Sequence, residues 1–464
     1  MKCLNVFIGL FIIGSGFIAC QKDNITDFAQ SFNEKNDLYI PPLIDSRVHA
    51  GAISISIQNG NHQFFENMNS QTRGFNGNYL GPTIRMHKGD STHLLFTNNI
   101  GETTTVHGHG LHVPGHLDGG PQLKIQPGAT WDVILPINQE ASTNWYHPHL
   151  MGKTAPHVHS GLAGFYLIED NNSQALNLPK TYGVDDIPLA IQDRTFVNGQ
   201  MVVYPEGQME DLREPTLVIN GTIDPYLSVP KGNVRLRLLN ASNSRSYDFF
   251  IKGNLPFYKI ATEGGFLNAP VQLTRLSMAP GERNEIIIDM SNGDVELMAY
   301  YLAPKEKHGT ESNPKSRVLY LEVDENMTPP NTNLSQSLNN IQPHIASNVV
   351  KTRYFDLEDM KINGKSMDMN IINERVNKGE LEKWTVSSGR HPFHMHGASF
   401  LILSINNQPP LLEDQGWKDV IMPYGDAEVL IRFDYEATDQ FPYMYHCHLL
   451  EHEDHGMMGQ FTVQ

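Results

Sequence analysis

The sequence predicts an all-β protein of several domains, on the evidence of its length, its strand-like periodicity and the distribution of its histidines. The chain has 464 residues, more than one hydrophobic core of ordinary size accommodates. Short runs in which every second residue is apolar recur between turn signals, as in 52–57 and 429–433. This two-residue period is typical of half-buried strands, and no long helical period interrupts it.

The histidines divide the chain into three parts. Of the 21, eight fall between His107 and His159, none between Ser160 and Lys307, and seven between His391 and His455. This distribution predicts three β-domains, of which the middle one is a spacer without metal. The predicted boundaries are a lipoprotein signal peptide at 1–20, a polar tether at 21–38, the first domain at 39–175, the middle domain at 176–325, a linker at 326–345 and the third domain at 346–464.

The N-terminus has the pattern of an export signal. A single lysine precedes an apolar run that is too short for a comfortable membrane span. The run ends in Phe17-Ile18-Ala19-Cys20, which resembles a bacterial lipobox, in which the cysteine becomes the lipidated first residue of the mature chain. The alternative is an ordinary cleaved signal. We expect an exported protein, anchored by lipid to the outer membrane and facing the periplasm or the surface.

Charge and cysteine content narrow the possible partners. The formal net charge of -17 argues against nucleic acid, and against a membrane contact other than the lipid anchor. We expect a monomer. Of the three cysteines, only Cys447 lies beyond the signal and lipobox, so the mature chain has no internal disulfide. A lone thiol in an oxidising compartment is a liability unless a metal binds it.

Four His-X-His pairs predict a metal cluster. In an extended strand, residues i and i+2 point to the same face, so each pair projects two imidazoles in one direction. Imidazole suits copper, zinc, iron and nickel, and eight imidazoles exceed what one zinc ion needs. The pairs are His107 with His109, His147 with His149, His394 with His396, and His446 with His448.

The fourth pair predicts a second, separate site. Its central residue, Cys447, points away from its two neighbours if the segment is extended, and therefore faces a different site. His452 and Met457 follow it closely, and His391 precedes the third pair. Two histidines and a cysteine with a weak axial methionine are the ligands of a blue copper site.

These motifs together resemble the multicopper oxidases, the family of laccases, ascorbate oxidase and the bacterial copper-efflux oxidase. The segments that carry the resemblance include HGHGLHVPGHLDGG, WYHPHLMGKTAPHVHSG, HPFHMHG, GWKDV and HCHLLEHEDHGMM. The resemblance implies three tandem cupredoxin-like Greek-key domains of β-sandwich or barrel type, and four copper ions. The implied ligands are His107 and His394 for type 2 copper; His109, His147, His149, His396, His446 and His448 for the type 3 pair; and His391, Cys447, His452 and Met457 for type 1 copper.

The resemblance also implies a function. We expect a copper-dependent oxidoreductase of laccase or cuprous-oxidase type, which takes electrons singly from a phenol or from cuprous ion and reduces O2 to water. Cys447 would carry each electron, and Asp118 and Glu453 would supply protons; the alternative for Asp118 is a turn residue. The efflux oxidase carries a Met-rich insertion over its type 1 site. It has no counterpart here, so we expect the ring edge of His452 to be open to phenols.

Two other functions stay open. The first is a catalytically silent copper-binding or structural relative, such as the copper-free cell-division protein of this fold; the complete ligand set argues against it. The second is a copper carrier, which would not need a thiolate between two cluster histidines. The remaining histidines of the two rich segments are expected to be solvated surface residues; they are His112, His116, His157, His159 and His455.

Overall fold

Strands dominate the computed structural model, which describes residues 36–330 and 333–464. Within these residues, six sheets of four to six strands pair into three two-sheet units, and one two-stranded ribbon is added. The all-β prediction is confirmed. The predicted signal peptide, the lipobox with Cys20 and most of the tether lie outside the described residues.

The first unit packs a five-stranded sheet on a four-stranded one. Strand Ser91–Asn99 illustrates how the two sheets pack, since its side chains alternate between a buried face and a half-exposed one. Its buried face joins a core that includes Ile55 and Tyr146. In sheet order, the strands are Leu43–Asp45, Thr83–His87, Gly164–Glu169, Ser142–His147 and His107–His109 in one sheet, and Met68–Phe75, Ile53–Phe65, Ser91–Asn99 and Thr130–Pro136 in the other.

The middle unit packs two six-stranded sheets around the largest core. Asn36 pairs with Pro225 and Leu38 is buried, so the folded body begins inside the segment predicted as a tether. In sheet order, the strands are Asn36–Asp37, Pro225–Val229, Lys315–Val323, Val295–Tyr301, Tyr247–Ile251 and Leu276–Met278; then Thr216–Ile219, Asp186–Arg194, Asn233–Asn240, Arg283–Asp289, Phe257–Thr262 and Gly265–Leu273; with the ribbon Phe196–Val197 and Gln200–Met201.

The third unit repeats the plan of the first with two five-stranded sheets. Its core includes Trp384, Phe393 and Phe461, and Cys447 lies in it. In sheet order, the strands are Lys361–Ile362, Lys351–Glu358, Leu381–Ser388, Gly425–Arg432 and Phe400–Ile405, then Glu374–Val376, Met458–Val463, Tyr443–Cys447, Phe393–Met395 and Val420–Ile421.

Helices are short and few in the described residues. The α-helices are α1 (Thr154–His159), α2 (Asn171–Ala175) and α3 (Leu450–Asp454), and the 3-10 turns are Gly115–Leu117, Met290–Asn292, Ala346–Asn348 and Leu412–Asp414. None of these helices has the length and apolar content needed to cross a membrane. Helices α1 and α3 pack on each other and so join the first unit to the third.

A buried ion-pair network of the middle unit is hydrogen-bonded to the first unit. Arg237 lies between Asp186 and Glu285, and its guanidinium also donates to Thr143 of the first unit. Each of these charged groups is almost fully buried, so each depends on the others for compensation. This network fixes the middle unit against the sheet that carries the first two histidine pairs.

Candidate metal centre

Two antiparallel strand pairs position the histidines. In the first unit His107 lies opposite His147, and in the third unit His394 lies opposite His446. Residues directly opposite each other in such a ladder have Cβ atoms about 5 Å apart, so their rings converge. Each strand pair lies at or near the edge of its sheet. The two units thus present equivalent edges bearing imidazoles.

The two edges meet face to face. His107 stacks on His396 with ring centroids 3.9 Å apart, and His109 stacks on His394 at 3.8 Å. Each stacked pair takes one ring from the first unit and one from the third. The four His-X-His pairs therefore form one cluster between these two units, which neither unit could form alone.

One group of three ring nitrogens centres on His109. Its Nδ1 lies 3.4 Å from Nε2 of His147 and 3.3 Å from Nε2 of His448. Between neutral rings, such contacts bring lone pairs together unless a proton or a metal ion lies between them. The group thus has the donor chemistry of a three-coordinate metal site.

A second group of three centres on His446. Its Nε2 lies 3.2 Å from Nε2 of His149 and 3.4 Å from Nε2 of His396. The partners again come from the first and third units. The two histidines of the fourth pair thus belong to different groups: His446 lies in this one, and His448 lies in the group around His109.

The remaining two histidines form a matched pair. His107 donates from Nδ1 to the backbone oxygen of Asp118, and His394 donates likewise to Asp419, both at 2.8 Å. These bonds fix the proton on Nδ1 and leave Nε2 as a free lone pair. Both Nε2 atoms are buried without a hydrogen-bond partner among the described residues. Two such orphaned nitrogens aimed into one cluster fit a metal ion.

Glycine lets the backbone approach the rings at two points. Gly119 has φ +79°, and a Cβ there would lie 1.8 Å from the oxygen of Val106. Gly281 has φ +85°, and a Cβ there would come within 2.8 Å of the His448 ring. Only glycine adopts these conformations without strain and leaves this space. The first of them places the Asp118 carbonyl under His107.

Asp118 orients the cluster as an ionised acceptor. Its Oδ2 accepts from Nδ1 of His396 at 2.8 Å and lies 3.5 Å from Nδ1 of His107. Burial alone would raise the pKa of Asp118, but the charges and hydrogen bonds of His396 and His107 outweigh it and lower the pKa below its usual range. A carboxyl that is already ionised holds rings in place and does not serve as a ready proton donor.

Glu453 has the opposite character. Its two oxygens lie 3.4 Å from Nδ1 of His149 and 3.4 Å from Nδ1 of His446, and it is fully buried. Burial, with the nearby charge of Asp454, raises its pKa well above the usual range. Glu453 is therefore the carboxyl beside the cluster whose surroundings favour its protonated form.

A carboxylate and an arginine that the sequence did not single out complete the cluster wall. Asp419 accepts from Nε2 of His109 at 3.3 Å, and both of its oxygens accept from Arg283 at 2.6 Å. Arg283 comes from the middle unit, which the sequence predicted to be only a spacer, and it is fully buried. Asp419 lies in the GWKDV segment and Arg283 in APGERNE, so the available signal was the resemblance of those segments alone.

The cluster histidines are held neutral. Burial is the leading cause, and it lowers the pKa of His396 to about 4 and that of His448 to about 3. The pKa is lowered well below the usual value for the others in which a shift is resolved, namely His109, His147, His149, His394 and His446. Neutral imidazole is the form that binds a metal.

A separate site surrounds Cys447. Its Sγ lies 3.5 Å from Nδ1 of His391 and 3.7 Å from Nδ1 of His452, and these two nitrogens are 3.1 Å apart. Burial raises the pKa of the thiol well above its usual value. Met457 is fully buried, donates its backbone N–H to the oxygen of His452 and accepts from the N–H of Cys447. Cys447 and its two flanking histidines thus face different sites.

The outer edge of this site is covered. His452 is only 2% exposed, and its Nε2 lies 2.7 Å from a carboxylate oxygen of Asp211. Arg213 in turn donates to Asp211. The expectation of a ring edge open to phenols is wrong, because this part of the middle unit occupies that edge.

Two of the histidines expected on the surface are buried instead. His159 lies in α1, and its Nε2 lies 3.0 Å from Glu214. His157 contacts Thr104 through Nδ1 and is likewise buried. The surface prediction is therefore wrong for these two, because α1 is covered by α3 of the third unit and by Glu214 of the middle unit.

The neutral histidines predict a stability that depends on pH. Because their folded pKa values lie below those of the unfolded chain, the unfolded state binds more protons as the pH falls below about 6.5. We expect the melting temperature of metal-free protein to fall by at least about 5 °C from pH 7 to pH 5. Calorimetry at the two values checks this. Metal-loaded protein is the control: its folded state also leaves these nitrogens unprotonated, so it should melt at a higher temperature and lose stability at least as steeply as the pH falls. A metal-free melting temperature that does not fall between pH 7 and pH 5 would contradict the assignment.

Three family models described as multicopper oxidase match this chain. They cover residues 56–173, 180–319 and 322–464. Among solved structures, a laccase-like multicopper oxidase CueO from an Ochrobactrum species has 37% identity and a TM-score of 0.86, over 92% of this chain and 100% of its own. A variant of the multicopper oxidase McoA from Aquifex aeolicus has 29% identity and a TM-score of 0.82, over 93% and 100%.

Curated relatives over the whole chain carry a different name. Proteins from Dickeya dadantii and from Escherichia coli are each 37% identical, and the matches cover 98% of this chain and of each relative. Both are named cell division protein FtsP.

These relatives overturn the function predicted from the sequence. The prediction was oxidation of a phenol or of cuprous ion coupled to reduction of O2, and it rested on the completeness of the ligand set. Relatives named for cell division contradict it and agree better with the alternative, a catalytically silent copper-binding or structural relative. A complete set of ligands indicates that the folded protein can hold metal ions, but it does not indicate that the protein turns over a substrate.

Proposed function

Because the chain belongs to the multicopper oxidase family, we propose that it is a copper-binding protein of that fold which serves in cell division without oxidase turnover. The observation that carries the proposal is the likeness, over 98% of the chain, to relatives named for cell division. Family membership implies copper binding. The divergence from an oxidase thus concerns substrate access and role, and the metal sites are retained.

The proposed complement is four copper ions. The support is the geometry of the donors, namely two groups of three ring nitrogens, one pair of orphaned nitrogens and one thiol between two histidines. The proposed ligands are His107 and His394 at a type 2 site; His109, His147 and His448 at one type 3 site; His149, His396 and His446 at the other; and His391, Cys447, His452 and Met457 at a type 1 site.

When bound, copper would supply a one-electron redox couple at each site. The protein's own residues fix the rest. Asp118 and Asp419 hold ring orientations, since hydrogen bonds to Nδ1 or Nε2 set which nitrogen faces the metal. Glu453 lies between two of the rings and its surroundings favour its protonated form, and Cys447 would give its proton up when the metal binds.

The covered type 1 site supports the absence of turnover. A reducing substrate reaches such a site through the ring edge of a ligand histidine, and here Asp211 occupies that edge of His452. The carboxylate is itself held by Arg213. Entry of a phenol would require both side chains to move. The chain also has no counterpart of the Met-rich insertion that binds cuprous substrate over the type 1 site of the efflux oxidase.

Complementation of a strain that lacks the gene tests the proposed function. The readout is cell length under conditions in which the deletion strain forms filaments. We expect Cys447→Ser to restore normal length as well as the parent, because serine keeps the fold and removes only the electron route. Failure of a Cys447→Ser protein that accumulates and melts like the parent would overturn the proposal. It would favour the alternative, a copper-dependent oxidoreductase of laccase or cuprous-oxidase type with O2 as acceptor.

We also propose that the mature chain is a lipoprotein anchored through Cys20, on sequence evidence alone. Cys20→Ser removes the acylation site but leaves the apolar signal that directs export. We therefore expect the exported protein to move from the membrane pellet to the soluble fraction. Fractionation with detection by antibody measures this. Cys3→Ser is the matched control, since Cys3 would be removed with the signal. Unchanged pelleting of the Cys20 variant would contradict the anchor.

A further inference from the structure

A cleft between the middle and third units lies outside the metal centre. Its larger part, about 180 Å³, is lined by Met278 and Lys418 among others, and a smaller part of about 40 Å³ adjoins it. The two parts of the cleft adjoin, because five residues line both of them: Ser277, Glu282, Lys307, Asp414 and Lys418. None of the proposed copper ligands lines it.

Lys259 lies at this cleft without a counterion. It is 2% exposed and lines the smaller part, and its side chain forms no hydrogen bond or ion pair with any other residue in 36–330 or 333–464. Asp414 acts on it electrostatically, but without an ion pair. A buried lysine whose ammonium has no hydrogen-bonded carboxylate is costly, since burial strips water from the charge and carboxylates at a distance compensate for it only in part. Burial accordingly lowers the pKa of Lys259.

The other cations of the smaller part are already paired. Lys418 donates to both oxygens of Glu263 and to Glu282. Arg275 is paired with Asp248. Among the buried cations of the smaller part, the one without an ion-pair partner is therefore Lys259.

A second unsatisfied group lies beside it. Lys259 is paired in the sheet with Ile286, two residues from Asn284, so the side chains of Lys259 and Asn284 leave the sheet on the same face. Asn284 lines the same part of the cleft, and its Oδ1 is buried without a hydrogen-bond partner among the described residues. Native proteins rarely leave such amides unsatisfied. The ammonium and the amide are independent signs of a missing ligand.

We propose that this cleft binds a small oxyanion bearing a carboxylate or phosphate group. The ligand oxygens would accept from Lys259 Nζ and from the amide nitrogen of Asn284, and a hydroxyl or protonated oxygen of the ligand would donate to Asn284 Oδ1. Lys307, which is exposed and lines both parts, attracts the anion to the mouth. Glu413 and Asp414 on the third-unit side disfavour large polyanions and limit the ligand to one anionic group of modest size.

Calorimetric titration of copper-loaded protein tests the site, with inorganic phosphate in one arm and lactate, a monocarboxylate that carries a hydroxyl, in the other. We expect saturable binding of at least one of them, and the stronger arm identifies the ligand class. Lys259→Met should weaken binding at least ~10-fold, because a charged hydrogen bond to the ligand is lost. Lys252→Met is the matched control: its lysine is exposed in the same unit, and its binding should equal the parent's.

Thermal melting keeps the test decisive. Lys259→Met should melt at or above the parent temperature without added anion, because a buried unpaired charge is removed, and this establishes that the variant is folded. The preferred anion should raise the melting temperature of the parent but not that of Lys259→Met. Equal binding by the parent and Lys259→Met would overturn the proposal, as would no binding by the parent of either anion up to tens of millimolar.

Discussion

The Cys447→Ser variant is expected to be colourless and to retain about three of the four copper ions that the parent binds. Visible colour in a type 1 site comes from the bond between copper and thiolate sulfur, and Cys447, the one thiol of residues 36–330 and 333–464, lies within reach of His391 and His452. The hydroxyl of serine is a poor substitute because it stays protonated. Loss of the band with retention of the cluster metal follows, since the ligands proposed for the other three ions are ring nitrogens.

Absorption spectroscopy and metal analysis on the same samples check this result. Met457→Leu is the matched control, since it removes only the weak axial ligand and should keep the colour while raising the reduction potential. A coloured Cys447→Ser protein would show that the thiol is not a ligand. A colourless parent that binds no copper would remove the metal assignment altogether.

The Arg283→Met variant is expected to lose about 3–5 kcal/mol of unfolding free energy, because the Asp419 carboxylate is left buried without its partner. Both oxygens of that carboxylate accept from Arg283, and one of them accepts from His109. The loss should reach the metal centre as well. Without the arginine, Asp419 no longer holds the His109 ring, so copper should leave the cluster at a lower chelator concentration.

Denaturant unfolding of Arg283→Met, Asp419→Leu and the double variant separates pairing from general disruption. The double variant should be more stable than Arg283→Met alone, because no unpaired charge remains. Arg317→Met is the control, since its pair with Asp224 is exposed and contributes at most about 1 kcal/mol. Additive losses in the double variant would show that Arg283 and Asp419 act independently.

Much of the metal centre could be predicted from sequence because it depends on strand parity. Residues i and i+2 share a face, so the pair at 446 and 448 and the intervening Cys447 separate into two sites without any tertiary information. The number of imidazoles also predicted a cluster, whereas the way in which the first and third units dock to build it could not be predicted, because contacts between units depend on how whole sheets pack.

Other features could not be predicted because they depend on partners distant in sequence. In the sequence, Arg283 is a single charged residue at the start of a predicted strand. Only the docking of the middle unit places it against Asp419. Asp211 covers His452 from a segment without regular structure, and nothing in its spacing indicates that contact. The raised pKa of Glu453 and the lowered pKa of Asp118 likewise follow from burial and neighbours, which the local sequence does not specify.

The measurement that tests the central claim most directly is O2 consumption by copper-loaded protein, supplied in turn with cuprous ion and with a neutral phenol. Copper-loaded Cys447→Ser, which lacks the electron route, is the blank. The account predicts equal rates for parent and blank with both reductants, because Asp211 covers the electron-accepting edge of His452. A rate that depends on Cys447 and reaches about 1 s⁻¹, the lower end of ordinary enzyme turnover, would contradict it.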